Sequence, residues 1–141
     1  MKKRLLLLVM IGFTITAATK AIHFNEKQNK STFSNNADYK ECIKDCNACI
    51  LACTNCYKAC AKMKDPKMNK CIRLCQETIA TCNASIKLMQ LNSENAKEQC
   101  LICAKVCEKC ATECEKFDMK ECKDCSMSCK KTANSCRALM K

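Results

Sequence analysis

Residues 42–60 read CIKDCNACILACTNCYKAC, with cysteines at 42, 46, 49, 53, 56 and 60 separated by steps of four, three, four, three and four. In an α-helix that alternation returns to one face, so the spacing predicts six sulfurs on a narrow stripe about 27 Å long. A heptad seam ordinarily carries Leu and Ile at its inward positions. Here those positions are thiols. The same rhythm returns at Cys100, Cys103, Cys107, Cys110 and Cys114, with steps of three, four, three and four.

Composition agrees with long helices. The chain has 141 residues, which suits one domain, and 18 of them are cysteine, whereas Gly and Pro occur once each and Trp is absent. A disulfide-stapled secreted scaffold is rich in loops and needs Gly and Pro to turn, so the scarcity of both argues against one.

Working outward, a first helix is expected from Ala37, capped by Asn35 or Asn36, to about Met63. Ile43, Ile50 and Tyr57 form a packing stripe beside its thiols. Asp65 as N-cap and Pro66 at the first helical position open a second helix reaching about Leu91. Its inward row is Cys71, Cys75, Thr78, Cys82, Ser85 and Met89, flanked by Ile72, Ile79 and Ile86. Asn95 with Glu98 suggests a cap for a third helix ending near Phe117. Asp118 with Glu121 suggests one for a fourth, which carries Cys122, Cys125, Cys129, Thr132 and Cys136. Connections this short make sequential helices antiparallel neighbours. The expected fold is all-α, an antiparallel up-down-up-down four-helix bundle with a cysteine-lined core, over residues 37–141.

Residues 1–21 read as a secretion signal peptide: Lys2, Lys3 and Arg4 precede an apolar run from Leu5 to about Ala18, and that run is shorter than the ~20 residues of a membrane span. An exported protein, periplasmic or secreted, with no membrane attachment after signal removal, is the expectation. Residues 22–36 read as a flexible polar arm. This arm holds His23, the only histidine, which the sequence leaves between a copper ligand and a solvent-exposed bystander.

The formal charge of +11 falls by four when Lys2, Lys3, Arg4 and Lys20 are removed. The remaining lysines alternate with Glu and Asp, as in Lys40-Glu41, Lys44-Asp45 and Glu108-Lys109, which is the pattern of solvated helix faces. Nucleic-acid binding wants clustered Arg with aromatics, and beyond residue 21 Arg occurs only at 73 and 137. No nucleic-acid partner is expected.

Three uses of the thiols compete with copper. As packing residues alone, small side chains would underfill a bundle core. Disulfides along one helix would join residues with nearly parallel Cβ directions, a poor match to disulfide geometry, although bridges between helices stay open. Zinc and iron–sulfur sites are usually built from paired knuckles or loops, which the chain lacks. The CxxC pairs 46/49, 53/56, 100/103, 107/110 and 122/125 are individually weak signals. Their fusion with the CxxxC pairs 42/46, 49/53, 56/60, 71/75, 103/107, 110/114 and 125/129 into continuous rows is specific. Soft thiolates select Cu(I), which accepts two or three sulfurs, so one row can bridge successive ions. The candidate metal ligands are therefore Cys42, Cys46, Cys49, Cys53, Cys56, Cys60, Cys71, Cys75, Cys82, Cys100, Cys103, Cys107, Cys110, Cys114, Cys122, Cys125, Cys129 and Cys136. A disulfide-cross-linked or zinc-storing exported helical protein is the alternative.

With its Gly-poor loops and inward CxxxC rows, the stretch 37–141 resembles the cysteine-rich four-helix-bundle copper storage proteins of bacteria. The resemblance implies a tube holding many Cu(I) ions, a homo-oligomer (typically a tetramer), and copper donor or acceptor proteins as partners. It departs from exported relatives in lacking their twin-arginine signal. Met63, Met68 and Met119 fall at the bundle end that also gathers Cys60, Cys71, Cys114 and Cys122, which makes them candidate metal-entry residues. The resemblance also implies Met residues at a mouth near the first loop. The other end gathers Ile86, Leu88, Met89, Leu91 and Leu139 as an expected plug. No Ser/His/Asp or paired-carboxylate constellation is present, and no strand carries a redox CxxC, so no enzymatic activity is expected.

Overall fold

A computed structural model describes residues 31–141, with side chains described from Tyr39 onward. Residues 1–21, most of the arm and His23 lie outside the described residues. The chain forms α1 (Ser31–Met63), a 3-10 turn (Pro66–Met68), α2 (Asn69–Gln90), α3 (Ala96–Cys114) and α4 (Lys120–Ala138). Among the described residues there is no strand and no cis peptide bond, and no helix is long and apolar enough to cross a membrane. Each helix packs on its neighbours in sequence, and α4 closes the ring against α1. This is the expected all-α up-down-up-down bundle.

Helix ends differ from the expected ones in instructive ways. The first helix begins at Ser31, six residues ahead of Ala37, so Asn35 and Asn36 lie inside it and residues 31–36 are helix, not arm. Asp65 does cap as expected, its Oδ1 accepting from the Lys67 N–H at 2.9 Å. The capped element is the 3-10 turn, after which α2 proper starts. Asn95 makes no side-chain cap; the Ser93 hydroxyl instead accepts from the Asn95 N–H at 3.2 Å. Met119 occupies the N-cap position of α4, leaving Asp118 to pair with Lys123. Expected capping chemistry thus forms at one of four helix starts, as weak local preferences allow.

With no glycine to spare, two connections place other residues in the left-handed region. Asn92 (φ 48°) ends α2 with its N–H on Met89 O at 3.1 Å, while the Ser93 N–H reaches Leu88 O at 3.0 Å. Asparagine tolerates this conformation; Lys64 (φ 53°), at the end of α1, does so at a cost of ~1–2 kcal/mol. Replacing Lys64 with Gly relieves that strain but loosens the unfolded chain by roughly 0.5–1 kcal/mol. The net expectation is a gain of up to about 1 kcal/mol in the urea unfolding free energy of the reduced apo protein. A loss of stability would contradict the strained reading of that turn.

Candidate metal centre

All 18 cysteines are buried and free, and they make up most of the single core cluster. The flanking stripes Ile43, Ile50, Tyr57 and Ile72, Ile79, Ile86 are partly buried against it, as the sequence predicts. The shortest sulfur contacts run between helices. On the α1–α4 side Cys42 meets Cys136 at 3.5 Å, Cys49 meets Cys129 at 3.5 Å and Cys53 meets Cys125 at 3.4 Å. On the α2–α3 side Cys82 meets Cys103 at 3.5 Å, Cys75 meets Cys110 at 3.8 Å and Cys71 meets Cys114 at 3.6 Å. Cys75 with Cys125 (3.9 Å) and Cys56 with Cys114 (3.9 Å) join the two sides across the middle.

Along single helices the contacts are 49/53 at 3.9 Å, 56/60 at 4.0 Å, 103/107 at 3.9 Å, 110/114 at 4.0 Å and 125/129 at 3.9 Å. Every one is a CxxxC pair. The side chain of residue i+4 lies over residue i, whereas i+3 is rotated further around the helix. So the CxxC pairs, the more familiar motif, are not the contacting unit here.

The thiols group into sets whose sulfurs lie within 4.8 Å of one another: Cys42/Cys100/Cys136 and Cys46/Cys103/Cys136 toward one end, then Cys53/Cys75/Cys110/Cys125, Cys56/Cys75/Cys114/Cys125 and Cys56/Cys60/Cys71/Cys122 toward the other. Sets of four were not legible from spacing, because each draws on three or four helices. The hydroxyls in the inward rows are already committed. Thr78 donates to Leu74 O at 2.8 Å, Ser85 to Thr81 O at 2.9 Å, and Thr132 to Asp45 O of α1 at 3.0 Å. They keep α2 and α4 polar-satisfied where thiols thin out.

Two buried carboxylates that sequence reading passed over as solvated charges sit at the seams. Asp45, 3% exposed, accepts from Lys131 at 2.7 Å and from the Ser135 hydroxyl, tying α1 to α4. Glu113, 6% exposed, pairs with Lys70 at 3.0 Å and Lys116 at 2.8 Å, and Lys116 and Lys70 hold its carboxyl below the usual range. Each stands beside a core cysteine, Cys46 or Cys114, and an inward-leaning acid flanked by opposite charge is the only signal that would have marked it.

At one end Met68 is buried, Met119 is partly buried and Met63 is exposed, above Cys60, Cys71 and Cys122. At the other, Tyr39, Met89, Ala96 and Leu139 are buried. The expected plug is therefore present with changed membership: Leu91, at 62% exposure, lies outside it, and Tyr39, not singled out in the sequence, lies inside.

The profile of the copper storage protein family matches residues 35–141. The chain belongs to the copper storage protein family. Among solved structures it is similar to Cu(I)-bound copper storage protein Csp3 of Bacillus subtilis, at 35% identity and a TM-score of 0.71, over 74% of this chain and 99% of that one. It is also similar to a cytosolic copper storage protein of Streptomyces lividans, with five coppers, at 25% identity and a TM-score of 0.70, over 77% of this chain and 96% of that one. An uncharacterized cysteine-rich protein of Bacillus subtilis, YhjQ, is 38% identical over 72 residues, 51% of this chain and 67% of its own length. The cytosolic relative overturns the expectation of a periplasmic or secreted protein. An apolar run behind three basic residues had carried that expectation, and the family match begins beyond it, at residue 35.

Burial also governs the protons of the copper storage bundle. Desolvation pushes the Cys60 thiol up to about 12, with repulsion from Cys56 and Cys71 adding to it, and desolvation likewise raises Cys122. A raised thiol contributes stability that is complete below the unfolded value of about 8.5 and is lost as pH climbs through the folded one. The apo protein is thus expected to melt at a lower temperature at pH 10 than at pH 7 under anaerobic reducing conditions. A melting temperature that holds or rises across that interval would contradict it.

Proposed function

We propose that this protein takes up and stores many Cu(I) ions on the 18 cysteine thiolates that line its bundle. The observation carrying this is the close packing of buried sulfurs: contacts of 3.4–4.0 Å run unbroken from Cys49 and Cys129 through Cys53, Cys125, Cys110 and Cys114 to Cys56, Cys60 and Cys122, and the sets Cys42/Cys100/Cys136 and Cys46/Cys103/Cys136 lie within 4.8 Å. Each entering Cu⁺ replaces a thiol proton, so one ion and one sulfur leave no net charge behind in a dry core. Sharing of sulfurs between two- and three-coordinate ions lets capacity follow thiol number.

Storage, not catalysis, is the role proposed, in keeping with the family match over residues 35–141. A homo-oligomer, a tetramer as in the resemblance, and copper donor or acceptor proteins complete the reading. A reducing compartment suits 18 free thiols in mutual contact, in keeping with the cytosolic Streptomyces lividans relative.

Anaerobic titration of the reduced protein with Cu(I) against a chromophoric chelator tests the proposal. Roughly 10–20 ions per chain are expected, bound in preference to Zn²⁺. Saturation at one or two ions would replace storage with delivery.

Copper is proposed to enter at the end bearing Met63, Met68 and Met119. In support, Tyr39, Met89 and Leu139 are buried at the opposite end, whereas here thioethers, one of them exposed, come from the first connection and from the one before α4. Replacing the three methionines together with Leu is expected to slow Cu(I) uptake or release several-fold while leaving capacity unchanged. Unaltered rates, with slowing on replacement of Met89 and Met140 instead, would move the entrance to the other end.

A further inference from the structure

Cys56 and Cys60 of α1, Cys71 of α2 and Cys122 of α4 lie mutually within 4.8 Å. Five of their six separations are nearly equal: 56–60 is 4.0 Å, 56–71 is 3.8 Å, 56–122 is 3.7 Å, 60–71 is 3.9 Å and 60–122 is 3.7 Å. A tetrahedral Zn²⁺ with Zn–S bonds of about 2.3 Å requires sulfur–sulfur edges of about 3.8 Å. The tetrahedron is already at that size. All four residues are fully buried, so the set is closed, with four protein ligands and no open position.

Charge separates this set from the other four-thiol sets. Zn²⁺ displaces four thiol protons and leaves the site at −2, which a deep interior disfavours strongly. Cys71 and Cys122 are the third residues of α2 and α4; α4 has no side-chain N-cap, whereas α2 continues directly from the 3-10 turn that Asp65 caps. The N-terminal end of α4 favours a thiolate at Cys122 and offsets part of the cost of its burial. Residues 62–70 and 115–123, which form the loops and helix ends around this site, contain seven lysines and four carboxylates, and of these lysines Lys70 and Lys116 pair with Glu113 and Lys120 with Asp124. The inner set Cys53/Cys75/Cys110/Cys125 has comparable spacing, with edges of 3.4–4.0 Å, but each member sits further inside its helix.

We propose that Cys56, Cys60, Cys71 and Cys122 form a tetrathiolate site for one divalent d¹⁰ ion, Zn²⁺, which staples α1, α2 and α4 at the Met-bearing end of the tube before Cu(I) arrives. The site rests on the tetrad alone and stands apart from the storage capacity of the remaining thiols. Zinc at this end makes the first copper ions replace a bound metal, so loading starts with an exchange.

The reduced full chain is incubated anaerobically with ZnCl₂, cleared of excess and measured by native mass spectrometry. CoCl₂ serves as the optical substitute. One Zn²⁺ retained per chain, a rise in melting temperature with zinc, and the intense visible bands of tetrahedral four-sulfur Co²⁺ are expected. Cys60→Ser and Cys122→Ser each weaken zinc binding by roughly 100-fold or more, beyond what loss of a supporting contact does. Cys100→Ser, at the far end, leaves it unchanged. Circular dichroism of each variant verifies the fold, and the wild-type Co²⁺ spectrum reports the sulfur count without any variant. Absence of retained zinc, a Co²⁺ spectrum of fewer than four sulfurs, unchanged affinity in Cys60→Ser, or equal loss in Cys100→Ser overturns the site. A parallel Cu(I) titration keeps the two readings apart: full copper capacity without zinc retention removes only the zinc site, and zinc retention with one or two coppers removes only storage.

Discussion

Sulfur–sulfur contact at 3.4–4.0 Å sets the spacing of the whole bundle. A thiol is small, weakly polar and as readily buried as an aliphatic side chain, so it satisfies the rule that cores exclude water while filling little volume. Helices lined with it approach until the sulfurs touch, and the apolar residues that would otherwise fill a core move to its margins. Ile43, Ile50, Tyr57, Ile72, Ile79 and Ile86 sit there, half-buried along the seams of α1 and α2. Burying those flanks contributes the hydrophobic stabilisation that a row of thiols lacks, at about 25 cal/mol per Å² of apolar surface.

Polar pairs complete what the flanks leave undone. Arg137 of α4 grips Glu108 of α3 through two bonds of 2.7 and 2.8 Å, while Asp45 and Glu113 tie α1 to α4 and α3 to α2. Exposed pairs of this kind contribute little individually. The two acids that are themselves buried matter more for register than for strength, since a one-turn slip of either helix would strand a carboxylate without its partners. Register is what a metal-binding row needs, because sulfurs from four helices must arrive at the same level.

The inward thiols of all four helices were legible from cysteine at steps of three and four, reinforced on α1 and α2 by Ile or Tyr one residue after the inward position at steps of seven. Asp65 with Pro66 was legible for the same reason, a side-chain acceptor and a fixed φ acting together. Asn95 and Asp118 were not, since a single capping residue competes with Ser93 and with Lys123 for its hydrogen bonds. Three-dimensional sets such as Cys56/Cys60/Cys71/Cys122 stayed hidden because their members are set by how helices face one another, which no spacing within a helix encodes. Compartment was misread because an apolar stretch behind basic residues is a local pattern, whereas the cytosolic relative is similar across the bundle.

The length of the tube also explains why its interior suits a monovalent soft ion. Each Cu⁺ cancels the thiolate it creates, so neutrality can be kept at every level from Cys42 to Cys60, whatever the degree of filling. A divalent ion held by four thiolates leaves two negative charges behind, and stacking several of these in a dry core would add their mutual repulsion to the desolvation of each. Where α4 begins, its N-terminal end relieves part of that penalty at Cys122, the third residue of the helix. Selection between the two kinds of metal therefore follows from where along the bundle a sulfur lies, and not from the sulfur itself, which is the same ligand 18 times over.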